Sequence, residues 1–142
     1  MTEDLHRLGE DLISTSARVV RWTPAENAGL SVAAARILSR LRDAGQLKIS
    51  DLAVAERSSQ PTITNHIQRL EEAGLVERQT DPHDARVSLI STTSAGRARL
   101  SAIRHEIGSF LEPRLAELSP EDQQTLRQAV TILNQMVDQD RR

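Results

Sequence analysis

The chain contains no cysteine and no tyrosine, and only one tryptophan, Trp22, one phenylalanine, Phe110, and one lysine, Lys48, among 142 residues. Without cysteine, disulfides, thiolate zinc sites and thiol redox sensing are excluded. With so few aromatics, Leu, Ile, Val and Ala must build the core. A chain of this length buries roughly 68–70% of the surface its unfolded form exposes, so a real core is expected. No apolar run reaches the roughly 18 residues that a membrane-crossing helix requires. The N-terminal MTEDLHRLGEDL is acidic and lacks the basic and apolar regions of a secretory signal. A cytoplasmic protein with no membrane partner is therefore expected. The four histidines are scattered and give no metal-ligand spacing. Ser, His and Asp are present, but no nucleophile elbow or phosphate loop brings them together. The expectation is a non-enzyme with no cofactor and no metal.

The formal net charge of −2 does not advertise a nucleic-acid binder. What binds phosphate, however, is a local patch. Residues 36–99 hold nine Arg and one Lys against eight acids, a net of +2, while the rest of the chain sums to −4. Basic charge thus sits in the middle and acid at the ends. Seventeen of the 18 basic residues are Arg. That bias suits phosphate and guanine edges, but a high genomic G+C content produces it equally well and is the preferred cause.

Frequent Ala, Leu, Glu, Gln and Arg favour helix, and hydrophobic periodicity places six helices. The first runs from about Glu3 to Val20, with Leu5, Leu8, Leu12 and Val19 near one face, and ends at Trp22-Thr23-Pro24. Ser31 caps the second, whose stripe is Val32, Ala35, Leu38 and Leu41, and Gly45 closes it. Ser50 caps a short third helix carrying Leu52 and Ala53. Ser59 (or Ser58) caps the fourth, with Pro61 in its first turn and Ile63, Ile67 and Leu70 facing inward. Gly74 stops it. Leu75–Arg78 and Val87–Ile90 are two short strands joined by a loop rich in Asp, Pro and Thr. Thr93 caps a long fifth helix with the stripe Leu100, Ile103, Ile107, Phe110 or Leu111, and Leu115; Pro113 should bend it. Leu118-Ser119-Pro120-Glu121-Asp122 starts the last helix, whose apolar residues are Leu126, Ala129, Val130, Leu133, Met136 and Val137.

The fold class is mainly α: a winged helix-turn-helix of about six helices plus a small β-hairpin wing. Three segments are expected: 1–30 as N-terminal dimerisation helix and connector, 31–92 as DNA-binding domain, and 93–142 as C-terminal dimerisation helices. The terminal helices are amphipathic without an obvious partner in a small reader. Pairing across a two-fold axis is favoured over folding back on the same chain.

The outward face of the fourth helix carries Gln60, Thr62, Thr64, Asn65, Gln68 and Arg69, with no acid before Glu71. Amides pair with adenine, Arg with guanine, and small hydroxyls or methyls sit against thymine methyls in the major groove. An ordinary solvated face carries Glu and Lys, and neither occurs from Ser58 to Leu70. The N-terminus of the helix, marked by Ser59 and Pro61, also presents the free backbone N–H groups of the other first-turn residues to phosphate. In the wing, Arg78, His83 and Arg86 are candidate contacts, and an Arg at a hairpin tip can enter the narrow minor groove. Asp81 and Asp84 are assigned to hold Arg86 and shape the turn. A surface ion pair of little worth is the competing role.

From about Leu30 to Gly96 the chain resembles the MarR family of bacterial transcription regulators. The resemblance rests on Leu52-Ala53, the Ser59–Thr64 run SQPTIT, Arg69-Leu70-Glu71, the Gly74–Arg78 run GLVER, Asp81-Pro82 with Asp84 and Arg86, and Thr93 with Gly96. It implies a homodimer with one winged helix-turn-helix per subunit, long first, fifth and sixth helices that make the dimer, and a pseudo-palindromic operator on double-stranded DNA. It implies base contacts from Gln60, Thr62, Thr64 and position 65, a phosphate contact from Arg69 and a minor-groove contact from Arg86. Four positions depart from the family pattern. Asn65 stands where Arg is frequent, His66 where an apolar residue is usual, Ala85 where a second wing Arg is common, and Thr92 where Leu is usual.

Many members of that family release DNA when a small aromatic or anionic effector binds. Arg18, Arg21 and Trp22 are the candidate effector pocket, an apolar ring beside two cations. A packing role for Trp22, plugging the hinge between dimer helices and reader, is preferred, because large aromatics usually serve packing. His6 and His105 are expected at the surface and His66 at the boundary of the reading helix. The favoured function is a dimeric DNA-binding repressor. The alternative is a winged-helix protein-interaction module, or a non-specific DNA-binding module, without effector response. A steep loss of DNA affinity with salt separates a DNA reader from a protein-binding module.

Overall fold

The structure, a computed structural model, describes residues 2–139, with side chains from Glu3 onward. Helix α1 (Thr2–Val20) opens the chain, followed by a two-stranded hairpin of β1 (Glu26–Asn27) and β2 (Leu30–Ser31). Then come α2 (Val32–Ala44), β3 (Leu47–Lys48), α3 (Ile49–Ala55) and α4 (Gln60–Glu72). Strands β4 (Val76–Thr80) and β5 (Ser88–Thr92) form the wing, and α5 (Ser94–Ala116) and α6 (Pro120–Gln139) complete the described residues. Six helices and a small antiparallel sheet are a mainly helical, winged-helix architecture, as the sequence led us to expect. Two units separate by contact, one ending at Ile107 and one beginning at Gly108. The division falls within α5.

In the first unit, Ile37, Leu38, Leu41, Leu52, Ile63, Ile67, Leu70 and Ile90, with Leu75 from the turn before β4, are the fully buried centre. The others come from α2, α3, α4 and β5, so one core fixes the helix-turn-helix to the wing sheet. Cutting any of these large side chains to Ala would cost about 2–5 kcal/mol. The α4 stripe of Ile63, Ile67 and Leu70 is buried as its spacing required. On α2 the expected stripe needs correction. Val32 is exposed and Ala35 half-buried, while Ala34 and Ile37 are buried beside Leu38 and Leu41.

Local signals explain most ends. Ser31 and Ser59 sit at extended N-cap positions and accept N–H bonds from Ala34 and Thr62. Gly45 ends α2 with φ of 83°. Ser50, however, is not the cap of α3. Strand β3 leaves Lys48 extended, with φ −76° and ψ 152°, and the helix begins at Ile49 without a side-chain cap. Ser50 therefore lies in the first turn.

The wing strands reach further than expected, to Thr80 and Thr92. Register pairs Arg78 with Ile90, Gln79 with Leu89 and Thr80 with Ser88, so cross-strand bonding carries the ladder through polar residues. Strand β3 is a third member, giving the order β3-β5-β4. Thr93 caps α5, its Oγ1 accepting from the Gly96 N–H at 3.1 Å while donating to the Gly74 carbonyl at 2.6 Å. This one hydroxyl ties the first turn of α5 to the stop of α4.

Helix α5 continues through Pro113. In the second unit Arg114 stacks over Phe110, 4.9 Å from the ring centroid. Ser119 caps α6 by accepting from the Asp122 N–H at 3.1 Å. Helix α6 buries no residue, and Leu126, Val130, Ile132, Met136 and Val137 are exposed. Helix α1 likewise exposes Leu5, Leu8, Ile13 and Val20. No helix among the described residues is long and apolar enough to cross a membrane.

Candidate nucleic-acid interface

The turn before α4 is built with more support than its sequence showed. Glu56 closes α3 and is only 4% exposed at its side chain, yet two arginines from α2 reach it. Arg36 Nε donates to one carboxylate oxygen at 2.5 Å and Arg40 Nε to the other at 2.7 Å. Burial raises the Glu56 carboxyl pKa, but the bonds and charges of both arginines outweigh it and hold the group below its ordinary value. The clamp fixes the position from which α4 leaves. The sequence contained a signal, since Arg36 and Arg40 are one helical turn apart and face one acid, but nothing marked Glu56 as buried.

On α4 the residues Gln60, Pro61, Thr62, Thr64, Asn65, Gln68 and Arg69 are all exposed, as is Ser59 before them. Their side chains are not equivalent. The Ser59 and Thr62 hydroxyls lie 2.8 Å apart, so both are engaged at the cap. Gln68 Nε2 donates to Glu72 Oε1 at 3.2 Å, one turn on. Gln60, Thr64 and Asn65 have no side-chain hydrogen bond among the described residues and present their donors and acceptors outward. His66 is half-buried at the boundary.

Strand β4 and the wing turn divide the other candidates. Arg78 Nε donates to Glu71 Oε2 at 2.9 Å, tying β4 to the end of α4. Arg86 stands 90% exposed and its guanidinium donates to both oxygens of Asp84, at 3.1 and 3.2 Å. Asp84 also accepts from the Arg86 backbone N–H at 3.0 Å. Bonds from the Arg86 side chain, and then its backbone N–H, lower the Asp84 pKa. Asp81 does not hold Arg86. Its Oδ1 accepts from the His83 N–H at 2.8 Å, an Asx turn that shapes the loop. Its other oxygen lies 3.9 Å from Lys48 Nζ. His83 itself is exposed at the tip.

These elements meet around an open cleft of about 270 Å³ lined by Lys48, Ser50, Gln60, Thr64, Arg86 and Ser88. Two outward residues of α4 and the wing arginine therefore border one concavity. Lys48 was missed by sequence reasoning, and its only signal was to be the lone lysine of an arginine-rich chain. On the other side of α4, His66 and Arg69 border a second cleft of about 310 Å³ with Glu26, Gly29 and Arg99. Arg99 Nη1 donates to the Ala28 carbonyl at 2.9 Å, and the Ala28 N–H donates to Glu106 at 2.6 Å, so α5 grips the β1–β2 hairpin. Arg18, Arg21 and Trp22 line neither cleft. All three are exposed in the single chain, Trp22 to 52%.

The family model that describes the MarR family matches residues 30–88. The uncharacterized HTH-type transcriptional regulator Mb0904 of Mycobacterium bovis is 30% identical over 135 residues, covering 94% of both chains. The chain belongs to the MarR family. A second relative, the uncharacterized HTH-type transcriptional regulator YdgJ of Bacillus subtilis, is 31% identical over 98 residues; that match covers 69% of this chain and 60% of YdgJ. Among solved structures, the YusO protein of Bacillus subtilis superposes with a TM-score of 0.70 at 21% identity, over 92% of this chain and 96% of that one. A mutant MarR from E. coli complexed with operator DNA superposes with a TM-score of 0.60 at 19% identity, over 94% and 97%. As a member of the MarR family the chain is an HTH-type transcriptional regulator with the winged-helix fold.

Proposed function

We propose that this MarR-family regulator binds double-stranded DNA as a homodimer, places α4 in the major groove and Arg86 in the adjacent minor groove, and represses transcription by occupying a pseudo-palindromic operator. The observation that carries the reading is the cleft at which Gln60 and Thr64 of α4 meet Arg86 of the wing. Amide and hydroxyl groups free of internal bonds suit base edges, and a guanidinium anchored by Asp84 suits the negative minor groove. The operator complex of the E. coli relative supports the same use of the fold. Exposed apolar residues on α1 and α6 support a second copy as partner, since a monomer seldom leaves such faces to water. Under this reading residues 31–92 read DNA, and residues 1–30 and 93–142 supply the dimer. A bound dimer on a promoter excludes polymerase, which makes repression its output.

Selection of bound sites from random duplex DNA, followed by a salt titration on the winner, tests this. The expected outcome is an inverted repeat whose affinity falls steeply with salt, because each neutralised phosphate releases counterions. Absence of any enriched sequence, or affinity insensitive to salt, would refute it.

A further inference from the structure

Arg57 lies in the turn between α3 and α4 with φ of 52°, a left-handed conformation that glycine adopts freely and arginine does not. The turn around it is fixed. The Arg57 N–H donates to the Val54 carbonyl at 3.1 Å and the Ser58 N–H to the Ala53 carbonyl at 3.0 Å. Its neighbour Glu56 is pinned by Arg36 and Arg40. A side chain held in an unfavourable backbone conformation, where the simplest residue would relieve it, points to a use for that side chain.

The pairing of the arginines narrows the use. Of the nine between residues 36 and 99, Arg36 and Arg40 serve Glu56, and Arg42, Arg78 and Arg86 each hold an acid. Arg97 and Arg99 donate to backbone carbonyls. Of these nine, all among the described residues, only Arg57 and Arg69 remain without a side-chain hydrogen bond or ion pair, and both are exposed. They flank α4 at opposite ends. From the cap at Ser59 to Arg69 the helix rises about 15 Å, at about 1.5 Å per residue. The major groove is about 12 Å wide. A helix seated there would carry a free guanidinium toward the phosphates at each of its ends.

We propose that Arg57 is a phosphate-contact residue, seating the N-terminal end of α4 on one strand of duplex DNA while Arg69 seats the other end. The proposal rests on α4 being the DNA-facing helix. The planar fork of Arg matches two phosphate oxygens, and such contacts set register and affinity without reading sequence. The left-handed turn is the cost of presenting the fork ahead of the helix cap.

Fluorescence anisotropy with a labelled duplex of random sequence, across a potassium chloride series, tests the proposal on the full chain. Arg57→Gly should weaken binding about tenfold at low salt and make the log–log salt dependence shallower by about 0.9 for each copy in contact. Its melting temperature should be no lower than that of the parent, because glycine relieves the turn. Arg57→Lys should recover most of the affinity, since charge carries the contact. Unchanged affinity and slope for Arg57→Gly would overturn the proposal. So would weaker binding with the salt slope intact, or weakening accompanied by a fallen melting temperature. Arg69→Ala serves as the reference. If it weakens binding and Arg57→Gly does not, Arg57 is excluded while α4 stays the reading helix. If neither changes binding, the placement of α4 fails and the proposal with it.

Discussion

Gly96 lies directly against the backbone of Leu75: a β-carbon on Gly96 would stand 2.1 Å from the Leu75 carbonyl oxygen. That oxygen also accepts from the Thr93 N–H at 3.1 Å, so it cannot move away without breaking the start of α5. The close approach lets α5 set out from the very point where α4 turns into β4. Gly96→Ala should destabilise the protein by about 1–3 kcal/mol, the usual cost of forcing atoms into a packed site. Chemical denaturation measures it. A variant as stable as the parent would show that the α4–β4 turn gives way easily.

The junction also shows what could be seen in advance. Thr93, Gly74 and Ser59 were legible because caps and stops are local chemistry, decided by a few neighbouring residues. The inward stripe of α4 was legible because Ile63, Ile67 and Leu70 repeat at helical spacing. The rotation of α2, the two-residue strand at Leu47–Lys48, and the burial of Glu56 were not. Each depends on partners distant in sequence. Arg36 lies 20 residues from Glu56, and Leu47 pairs with Ile90. In the candidate site, exposure of the α4 face followed from periodicity, while the bonding of each side chain did not. Only the fold separates Asp84, which holds Arg86, from Asp81, which shapes the loop and approaches Lys48.

The Glu56 clamp should make stability sensitive to acid. Its carboxyl is held below the ordinary value of 4.5 in the folded chain and returns to it on unfolding. The stabilisation is therefore fully present above pH 4.5 and is lost as pH falls through the lower, folded value. Glu56→Gln should cost about 1–3 kcal/mol near neutral pH, toward the low end because both arginines are partly solvated. It should also flatten the acid limb of the stability profile. Urea melts of parent and variant across that range decide it, and parallel profiles would mean that other carboxylates dominate.

Asn65 and Arg86 should fail in different ways. Asn65 carries no internal bond, so its amide is free for one base pair. Asn65→Ala should cost about 1–3 kcal/mol of affinity and relax preference at one position per half-site. Arg86 is anchored by Asp84 at the wing, so Arg86→Ala should weaken binding while leaving the oligomeric state unchanged. Competition binding against single-base operator variants separates the two. Equal weakening of Asn65→Ala on every sequence would place that residue on phosphate instead.

The exposed apolar residues of the terminal helices give the last expectation. Leu8 on α1 is 61% exposed and Val130 on α6 is 56% exposed in the single chain. If these faces bury against a second copy, a carboxylate at either position would be driven into an apolar interface without a partner, a cost of several kcal/mol. Leu8→Asp and Val130→Asp should each convert a dimer to a folded monomer, read by light scattering with circular dichroism as the check on folding. The same variants should lose high-affinity binding to the full operator, because two-fold pairing sets the half-sites about 10–10.5 base pairs apart, or a multiple of that, on one face of the duplex. A parent chain that runs as a monomer, or variants that stay dimeric, would leave these faces without the role assigned to them.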